Sequence, residues 1–339
     1  MRSPTFDYAV GICCVWIVAG FFADAWAHGH VPVESFFTPY HAVFYTGILV
    51  LLAIVVGFAL RNLLRGVPLR QCVPAPYRVA IIGFPIFILA GVGDYFWHKI
   101  VGLEVGVDAL LSPTHQALGL GMFFLASGPI RSVLADRQRA TTLLRQFPLL
   151  LGLLAWYGLT HFGTAYAFIP GIAKPDAPPS ITFSPQYMTA LSFGYYTVSI
   201  GVLIVIFQAA LTAGFALWTI SALRPRPGFF TILYPCANAM AVAPFTNDTP
   251  LLTVTLVASF AVGIAADALV VALDPTTDRR AAYRWFAVLL PLVYSGAFLL
   301  ATQFLGGGVW WDWNVALGAF AWAGVAGLGL SFVGLARRA

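Results

Sequence analysis

Residues 38–60 of this chain read TPYHAVFYTGILVLLAIVVGFAL, and the run contains no Asp, Glu, Lys or Arg. A transmembrane helix needs about 20 mostly apolar residues, so this stretch is long enough to cross a bilayer. Hydrophobic residues make up 60% of the 339-residue sequence and charged residues only 9%, whereas soluble domains carry about 25% charged residues. This composition excludes a soluble enzyme, a disordered chain and a secreted disulfide scaffold, and it indicates an integral membrane protein.

Further apolar runs of similar length occur along the whole chain. We therefore predict an all-α, polytopic membrane bundle of about ten transmembrane helices, built from two-helix hairpin repeats. Residues 1–146 are expected to carry the ligand-bearing hairpins and residues 147–339 a membrane scaffold, within one integrated membrane domain. The spans are predicted roughly at residues 8–27, 38–60, 78–98, 113–132, 147–169, 185–222, 229–246, 250–273, 282–304 and 311–335.

The basic residues predict how these spans are oriented. Of the 18 Lys and Arg residues, all except Lys99 and Lys174 fall in the termini or in the loops that follow even-numbered spans. Because cytoplasmic loops retain Lys and Arg, both termini are predicted to be cytoplasmic in a bacterial-type inner membrane. The net charge of +5 then reflects topology and not nucleic-acid binding. All six histidines lie at the opposite ends of the spans, which face the periplasm or cell exterior.

One string of polar residues occurs twice in the first four predicted spans. In each copy an Asp is followed four residues later by His, and an acidic residue, a Ser-Pro or Thr-Pro step and a second His follow. The copies comprise Asp24, His28, Glu34, Thr38, Pro39 and His41, and Asp94, His98, Asp108, Ser112, Pro113 and His115. Residues four apart share a helix face, and Ser or Thr before Pro begins a helix. Each hairpin should therefore bring one carboxylate and two imidazoles together.

Such groups at membrane depth are costly and mark functional sites. Imidazole and carboxylate ligands without Cys or Met suit copper, zinc, iron or manganese, and we predict a transition-metal site in which copper is favoured over zinc or iron. An Asp–His pair can also be a simple hydrogen bond between helix ends, but the duplication favours metal binding. Whether the copies form one dinuclear site or two separate sites is open from the spacing. Further candidate ligands or supporting groups are His30, Glu34, Asp108 and His161.

The spacing Asp24-x3-His28-x12-His41 resembles the copper-ligand string in the C-type subunit of particulate methane and ammonia monooxygenases. The resemblance implies that these three residues ligate copper, and that the protein is a monooxygenase-like oxidoreductase or a subunit of one. It covers about 18 residues of the chain, from Asp24 to His41. The second copy departs from it, with sixteen residues between His98 and His115.

Other classes of protein fit parts of the pattern. Membrane zinc hydrolases of the alkaline ceramidase and adiponectin receptor type are similar in placing Asp and His on several helices to activate water, but their late His-x3-His is missing here. A metal transporter or delivery protein would need a polar path, for which the sequence offers Asp267, Asn238 and Gln208.

A structural subunit of a larger membrane complex could instead hold haem or a pigment on His41 or His115. Cleavage of residues 1–27 as a signal peptide would leave His28 at a new N-terminus, but the match to the third span opposes this. The expected partners are the lipid bilayer and either other membrane subunits or further copies of the chain.

Overall fold

A computed structural model of the protein describes residues 4–31, 38–102, 104, 107–164, 190–243, 249–309 and 311–336. Within those ranges it contains helices and short turns and no strands, which confirms the all-α prediction. The helices are α1 (Pro4–His30), α2 (Pro39–Leu64), α3 (Gly83–Ile100), α4 (Val107–Leu111), α5 (Pro113–Ala135), α6 (Leu143–Gly163), α7 (Ala190–Ala222), α8 (Phe229–Val242), α9 (Thr249–Leu273), α10 (Arg280–Leu305) and α11 (Trp313–Ala336).

Nine of the helices in the described ranges are long and apolar enough to cross a membrane, as expected for a multi-pass membrane protein. The seventh predicted span, residues 229–246, differs from the expectation. Its helix, α8, has 14 residues, which is shorter than the roughly 20 needed for a full crossing. The prediction of about ten spans is therefore met only in part.

The chain divides into two compact units, Met1–Ala165 and Tyr166–Ala339. In the first unit, α1 packs against α2, α5 and α6, while α5 also packs against α3 and α6. Small residues allow the close approach of α3 and α5: a Cβ on Gly83 would lie 2.4 Å from the carbonyl oxygen of Gly121. Such contacts between small residues are typical of membrane helices, where apolar burial alone does not drive association.

A buried carboxylate ties three segments of the first unit together. Asp7 of α1 is 1% exposed. It accepts hydrogen bonds from the Tyr77 hydroxyl at 2.7 Å and from the Ser132 hydroxyl at 2.8 Å. Tyr77 lies in a short 3-10 turn before α3, and Ser132 lies in α5. Because a buried charge is costly unless it is hydrogen-bonded, these contacts fix the start of α1 against the turn and α5.

In the second unit, α10 packs against α7, α9 and α11, and α8 packs against α9. Asp267 of α9 caps the start of α8. Its carboxylate accepts hydrogen bonds from the backbone N–H groups of Gly228, Phe230 and Thr231 at 2.9–3.2 Å, and from the Thr231 hydroxyl at 2.6 Å. These are the N–H groups that a helix leaves without an internal partner at its start, so the carboxylate has a structural role.

Candidate metal centre

The returning helix of each hairpin begins as the Ser-Pro and Thr-Pro steps predict. Thr38 is the N-cap of α2, and its hydroxyl accepts a hydrogen bond from the backbone N–H of His41 at 3.1 Å. Ser112 caps α5 in the same way, accepting from the backbone N–H of His115 at 3.5 Å. A Pro occupies the start of each helix, where its missing N–H costs nothing. The caps therefore hold each second His in the first turn of its helix.

The first group of ligand atoms joins the end of α1 to the start of α2. Asp24 Oδ2 lies 3.4 Å from Nε2 of His28, and Asp24 Oδ1 lies 3.3 Å from Nδ1 of His41. One potential ligand atom from each residue lies within 4.8 Å of the others. We call Asp24, His28 and His41 the first triad. Their side chains are 4–14% exposed, so the group is largely buried.

The second group repeats this arrangement on α3 and α5. Asp94 Oδ2 lies 3.4 Å from Nε2 of His98, and Asp94 Oδ1 lies 3.3 Å from Nε2 of His115. Asp94, His98 and His115 form the second triad, and their ligand atoms also lie within 4.8 Å of one another. The Asp94 side chain is 1% exposed and that of His115 is 22% exposed. The second carboxylate is thus more deeply buried than the first.

The two triads are neighbours. The rings of His28 and His98 are roughly parallel, with their centroids 6.2 Å apart and an interplanar angle of 20°. Within the triads, the His28 and His41 rings are 5.5 Å apart and the His98 and His115 rings 5.7 Å apart. Four imidazoles therefore form a continuous row, in the order His41, His28, His98, His115, flanked by two carboxylates. The spacing along the sequence left this relation open.

Hydrogen bonds in the second triad orient the ring nitrogens for a metal ion. Nδ1 of His98 lies 3.2 Å from the carbonyl oxygen of Gly102, and Nδ1 of His115 lies 2.6 Å from that of Ala109. A carbonyl only accepts, so Nδ1 carries a proton in each ring, and in the neutral imidazole Nε2 is then the nitrogen whose lone pair can bind a metal ion. Both Nε2 atoms face Asp94. Metal-binding histidines commonly donate their other N–H to a carbonyl in this way.

The second carboxylate has a further partner that the sequence analysis missed. The Thr114 hydroxyl donates a hydrogen bond of 2.7 Å to Asp94 Oδ1, the oxygen that faces His115. Thr114 directly follows the Pro of the Ser-Pro step, so its position in the repeated string was a usable signal. The matching residue of the first copy is Tyr40, whose ring instead contacts that of Trp26 at 6.3 Å between centroids.

The triads also differ in which nitrogen of the second His they use. Nδ1 of His41 faces Asp24 and also lies 3.0 Å from the Thr38 hydroxyl oxygen, whereas His115 presents Nε2 to its Asp. The two copies of the string therefore form two inequivalent sites.

The remaining candidate residues that the structure describes belong to neither triad. Asp108 is exposed in the first turn of α4, and His30 stacks on Trp26 at 4.9 Å between centroids. His161 is buried in α6 with its ring 4.6 Å from that of Tyr157. Among the residues that the structure describes, the groups of three or more potential ligands contain none of these. Glu34 lies outside the described residues.

The donor set fits a divalent transition metal. Each triad offers one carboxylate oxygen and two imidazole nitrogens in a largely apolar helical setting. A buried carboxylate such as Asp94 is unfavourable without a compensating positive charge, which a bound cation supplies. Comparison of the chain with protein-family models, with curated proteins and with solved structures finds no match, so these six residues carry the functional argument.

Proposed function

We propose that this protein is a membrane copper protein that holds one copper ion in each triad, and that it acts as a monooxygenase-like oxidoreductase or as a subunit of one. The observation that carries the proposal is the continuous row of four imidazoles with a carboxylate on each side. A single structural Asp–His hydrogen bond would not require a second, adjacent copy with the same residues.

Two arguments favour copper among the metals that suit these ligands. Sites built from imidazole and carboxylate bind divalent copper more tightly than the other first-row divalent ions. The first triad also has the spacing Asp24-x3-His28-x12-His41, which resembles the copper-ligand string of the C-type monooxygenase subunit. That subunit is also helical and membrane-embedded, and its copper site also uses one Asp and two His.

The residues of the chain would hold and orient the metals. Bound copper supplies one-electron redox chemistry and the activation of dioxygen. Asp24 and Asp94 each face two imidazoles, and the carbonyl oxygens of Gly102 and Ala109 fix the ring protons of the second triad on Nδ1. Burial of both groups excludes most water, which strengthens the attraction between carboxylate and cation.

Two alternative functions receive less support. A transporter needs polar groups along the bundle, but Asp267 is fully engaged in capping α8. A zinc hydrolase needs a general base near the metal, for which the sequence offers Glu34 and Asp108; Asp108 is exposed and belongs to neither triad, and Glu34 lies outside the described residues. The neighbouring triads fit a redox pair better than either function.

Metal content measured by inductively coupled plasma mass spectrometry tests the proposal. After loading and removal of excess metal, we expect about two copper ions per chain, on the order of one per triad. His41→Ala and His115→Ala should each lose one ion, and the double variant should lose both. His30→Ala is the matched control, because this exposed His belongs to neither triad.

Other results of this measurement have defined meanings. Stoichiometric zinc that resists exchange by copper would support the hydrolase instead. Metal content that is zero, or is unchanged in the double variant, would overturn metal binding at the triads and leave a structural or organic-cofactor subunit.

We also propose that the triads lie on the periplasmic side of a bacterial-type inner membrane and that both termini are cytoplasmic, which requires the segment between α7 and α9, with the 14-residue α8, to make the tenth crossing. The distribution of Lys and Arg supports this orientation. A reporter fused to the C-terminus that is active only in the cytoplasm should be active, and the same reporter inserted after Gly102 should be inactive. The reverse pattern would show that the triads face the cytoplasm.

A further inference from the structure

A cavity of about 1000 Å³ lies beside the first triad. Its walls are formed by α2 with its N-cap, between Thr38 and Leu49, and by α3, between Phe87 and Phe96. At 1.5 Å per helical residue, these walls are roughly 14 to 17 Å long. His41 belongs both to the first triad and to the cavity wall, so the cavity reaches a predicted metal ligand directly.

The cavity opens towards the lipid-facing surface of the helices. Four apolar residues of its wall, Leu49, Ile88, Val92 and Phe96, are 49–63% exposed. In a membrane helix, exposed apolar side chains of this kind contact acyl chains. A molecule dissolved in the bilayer could therefore enter sideways without crossing water.

The chemistry of the wall selects the kind of molecule. Its residues, all from the described ranges 38–49 and 87–96, include no Lys, Arg, Asp or Glu. The polar side chains of the wall are all neutral hydroxyl groups apart from the His41 ring, and they belong to Thr38, Tyr45, Thr46 and Tyr95. An anionic headgroup would have no cation to pair with there, whereas one neutral hydroxyl or carbonyl could be hydrogen-bonded.

Tyr45 connects the end of the cavity near His41 to both helices. Its ring stacks roughly parallel to that of His41 at 6.1 Å between centroids. Its hydroxyl reaches α3, where a Cβ on Gly91 would lie 3.3 Å from the hydroxyl oxygen. A polar group held at Tyr45 is therefore held next to the first triad.

We infer that this cavity binds a neutral, lipid-soluble molecule with a long apolar body and one hydroxyl or carbonyl end, and that it holds the polar end beside His41. The inference rests on the proposed function in one respect, namely that the bound molecule is the substrate of the copper centre. The apolar wall, the lateral opening and the neutral polar end all favour this class over a charged or water-soluble ligand.

Photolabelling of metal-free protein in lipid nanodiscs tests the binding without depending on copper. The probe is a dodecanol that carries a photoreactive diazirine next to its hydroxyl end, and labelled residues are mapped by mass spectrometry. We expect labels on residues 38–49 and 87–96, and competition by plain dodecanol but not by dodecanoate. A phospholipid that carries the same diazirine reports how much labelling simple contact with the bilayer produces.

Two neighbouring positions on α3 provide the variant and its control. Val92→Trp places a bulky ring in the cavity wall and should weaken labelling by about tenfold, which corresponds to about 1.4 kcal/mol of binding free energy. Leu89→Trp adds the same side chain at a 71% exposed position outside the wall and should leave labelling unchanged. Ala42→Leu on α2 is a second cavity-filling variant, and elution as wild type in gel filtration verifies that each variant folds.

The inference is overturned if the phospholipid labels these segments as strongly as the dodecanol does, since lipid alone would then fill the cavity. It is equally overturned if Val92→Trp and Ala42→Leu, both folded, label as wild type does. Copper binding without such labelling would retain the metal centre and reject the cavity as its substrate site. Labelling without copper binding would retain the cavity as a binding site and reject the metal centre.

Discussion

Replacement of Thr114 by Val should selectively weaken metal binding at the second triad. Val has nearly the same shape as Thr, so the change removes the hydrogen bond of 2.7 Å to Asp94 Oδ1 and a longer contact of 3.4 Å with the Ser112 hydroxyl. Without the hydrogen bond, the carboxylate is no longer held facing both His98 and His115. Loss of such a supporting hydrogen bond typically lowers metal affinity about 10- to 100-fold, which corresponds to roughly 1.4 to 2.7 kcal/mol. A hydrogen bond to a charged group is worth about 1.5 to 3 kcal/mol, so the two magnitudes agree.

Competition titration against a copper chelator of known affinity measures this effect, because two inequivalent sites give two separable dissociation constants. We expect a shift only in the binding step of the second triad, which is identified by its loss in His115→Ala. Thr46→Val is the matched control, since the Thr46 hydroxyl bonds only to carbonyl oxygens of its own helix, at Ala42 and Val43. Equal affinity of wild type and Thr114→Val at both sites would refute the role of this hydroxyl, and an equal loss in Thr46→Val would point to a general effect of losing a hydroxyl.

Three further predictions concern the pair of sites and the second unit. Protein loaded with two Cu(II) ions should show dipolar broadening in its electron paramagnetic resonance spectrum, because the triads are adjacent. His115→Ala should give the sharp spectrum of an isolated ion. A sharp wild-type spectrum at full loading would contradict the adjacency of the triads. Asp267→Ala should lower the free energy of unfolding, measured by denaturant titration, by about 2 to 4 kcal/mol, because it leaves the N–H groups at the start of α8 without their acceptor. The control Asp278→Ala, at an exposed position, should have almost no effect. A hydrogen bond from Arg224, reinforced by one from Arg279, holds the pKa of Asp274 below its usual range. The ion pair therefore stabilises the fold above the unfolded-state pKa of about 3.9 and loses that contribution as pH falls through the folded-state pKa. In thermal melts, Asp274→Asn should unfold at a lower temperature than wild type at neutral pH and at the same temperature in acid. A difference in unfolding temperature that is the same at all pH values would exclude the ion pair as its cause.

Local sequence patterns predicted the composition of each triad but not the relation between the triads. The i, i+4 spacing of Asp94 and His98 and the cap at Ser112 are properties of one helix or one turn, so they can be read from neighbouring residues. The contact of His28 with His98 joins helices 70 residues apart in sequence. It depends on how two hairpins pack, which the ligand spacing does not encode.

The position of α8 was predicted, but its length was not. Its residues are as apolar as those of a full span, so composition alone suggested a crossing helix. Its start at Phe229 agrees with the prediction and is capped by Asp267 from α9, whereas its end at Val242 lies four residues before the predicted end. An acidic residue inside an apolar run indicates a specific partner, but the sequence does not say which partner it is.

The two hairpins share a ligand string, yet their differences suggest how a pair of sites could divide its work. Asp94 is 1% exposed and accepts a hydrogen bond from Thr114, so the second carboxylate is buried and fixed. Asp24 is 14% exposed, and its partner His41 forms part of the wall of a mostly apolar cavity. The second triad, whose Nε2 ligand atoms are oriented, is suited to holding a metal ion. The first triad, beside an apolar cavity, is suited to contact with substrate. The row of four rings provides the short connection that such a division requires. The double variant Tyr40→Thr and Thr114→Tyr should then make the two sites more alike in metal affinity. The separation between the two steps of the copper titration should decrease. A separation that is unchanged would show that the ligand nitrogens, and not these neighbours, set the difference between the sites.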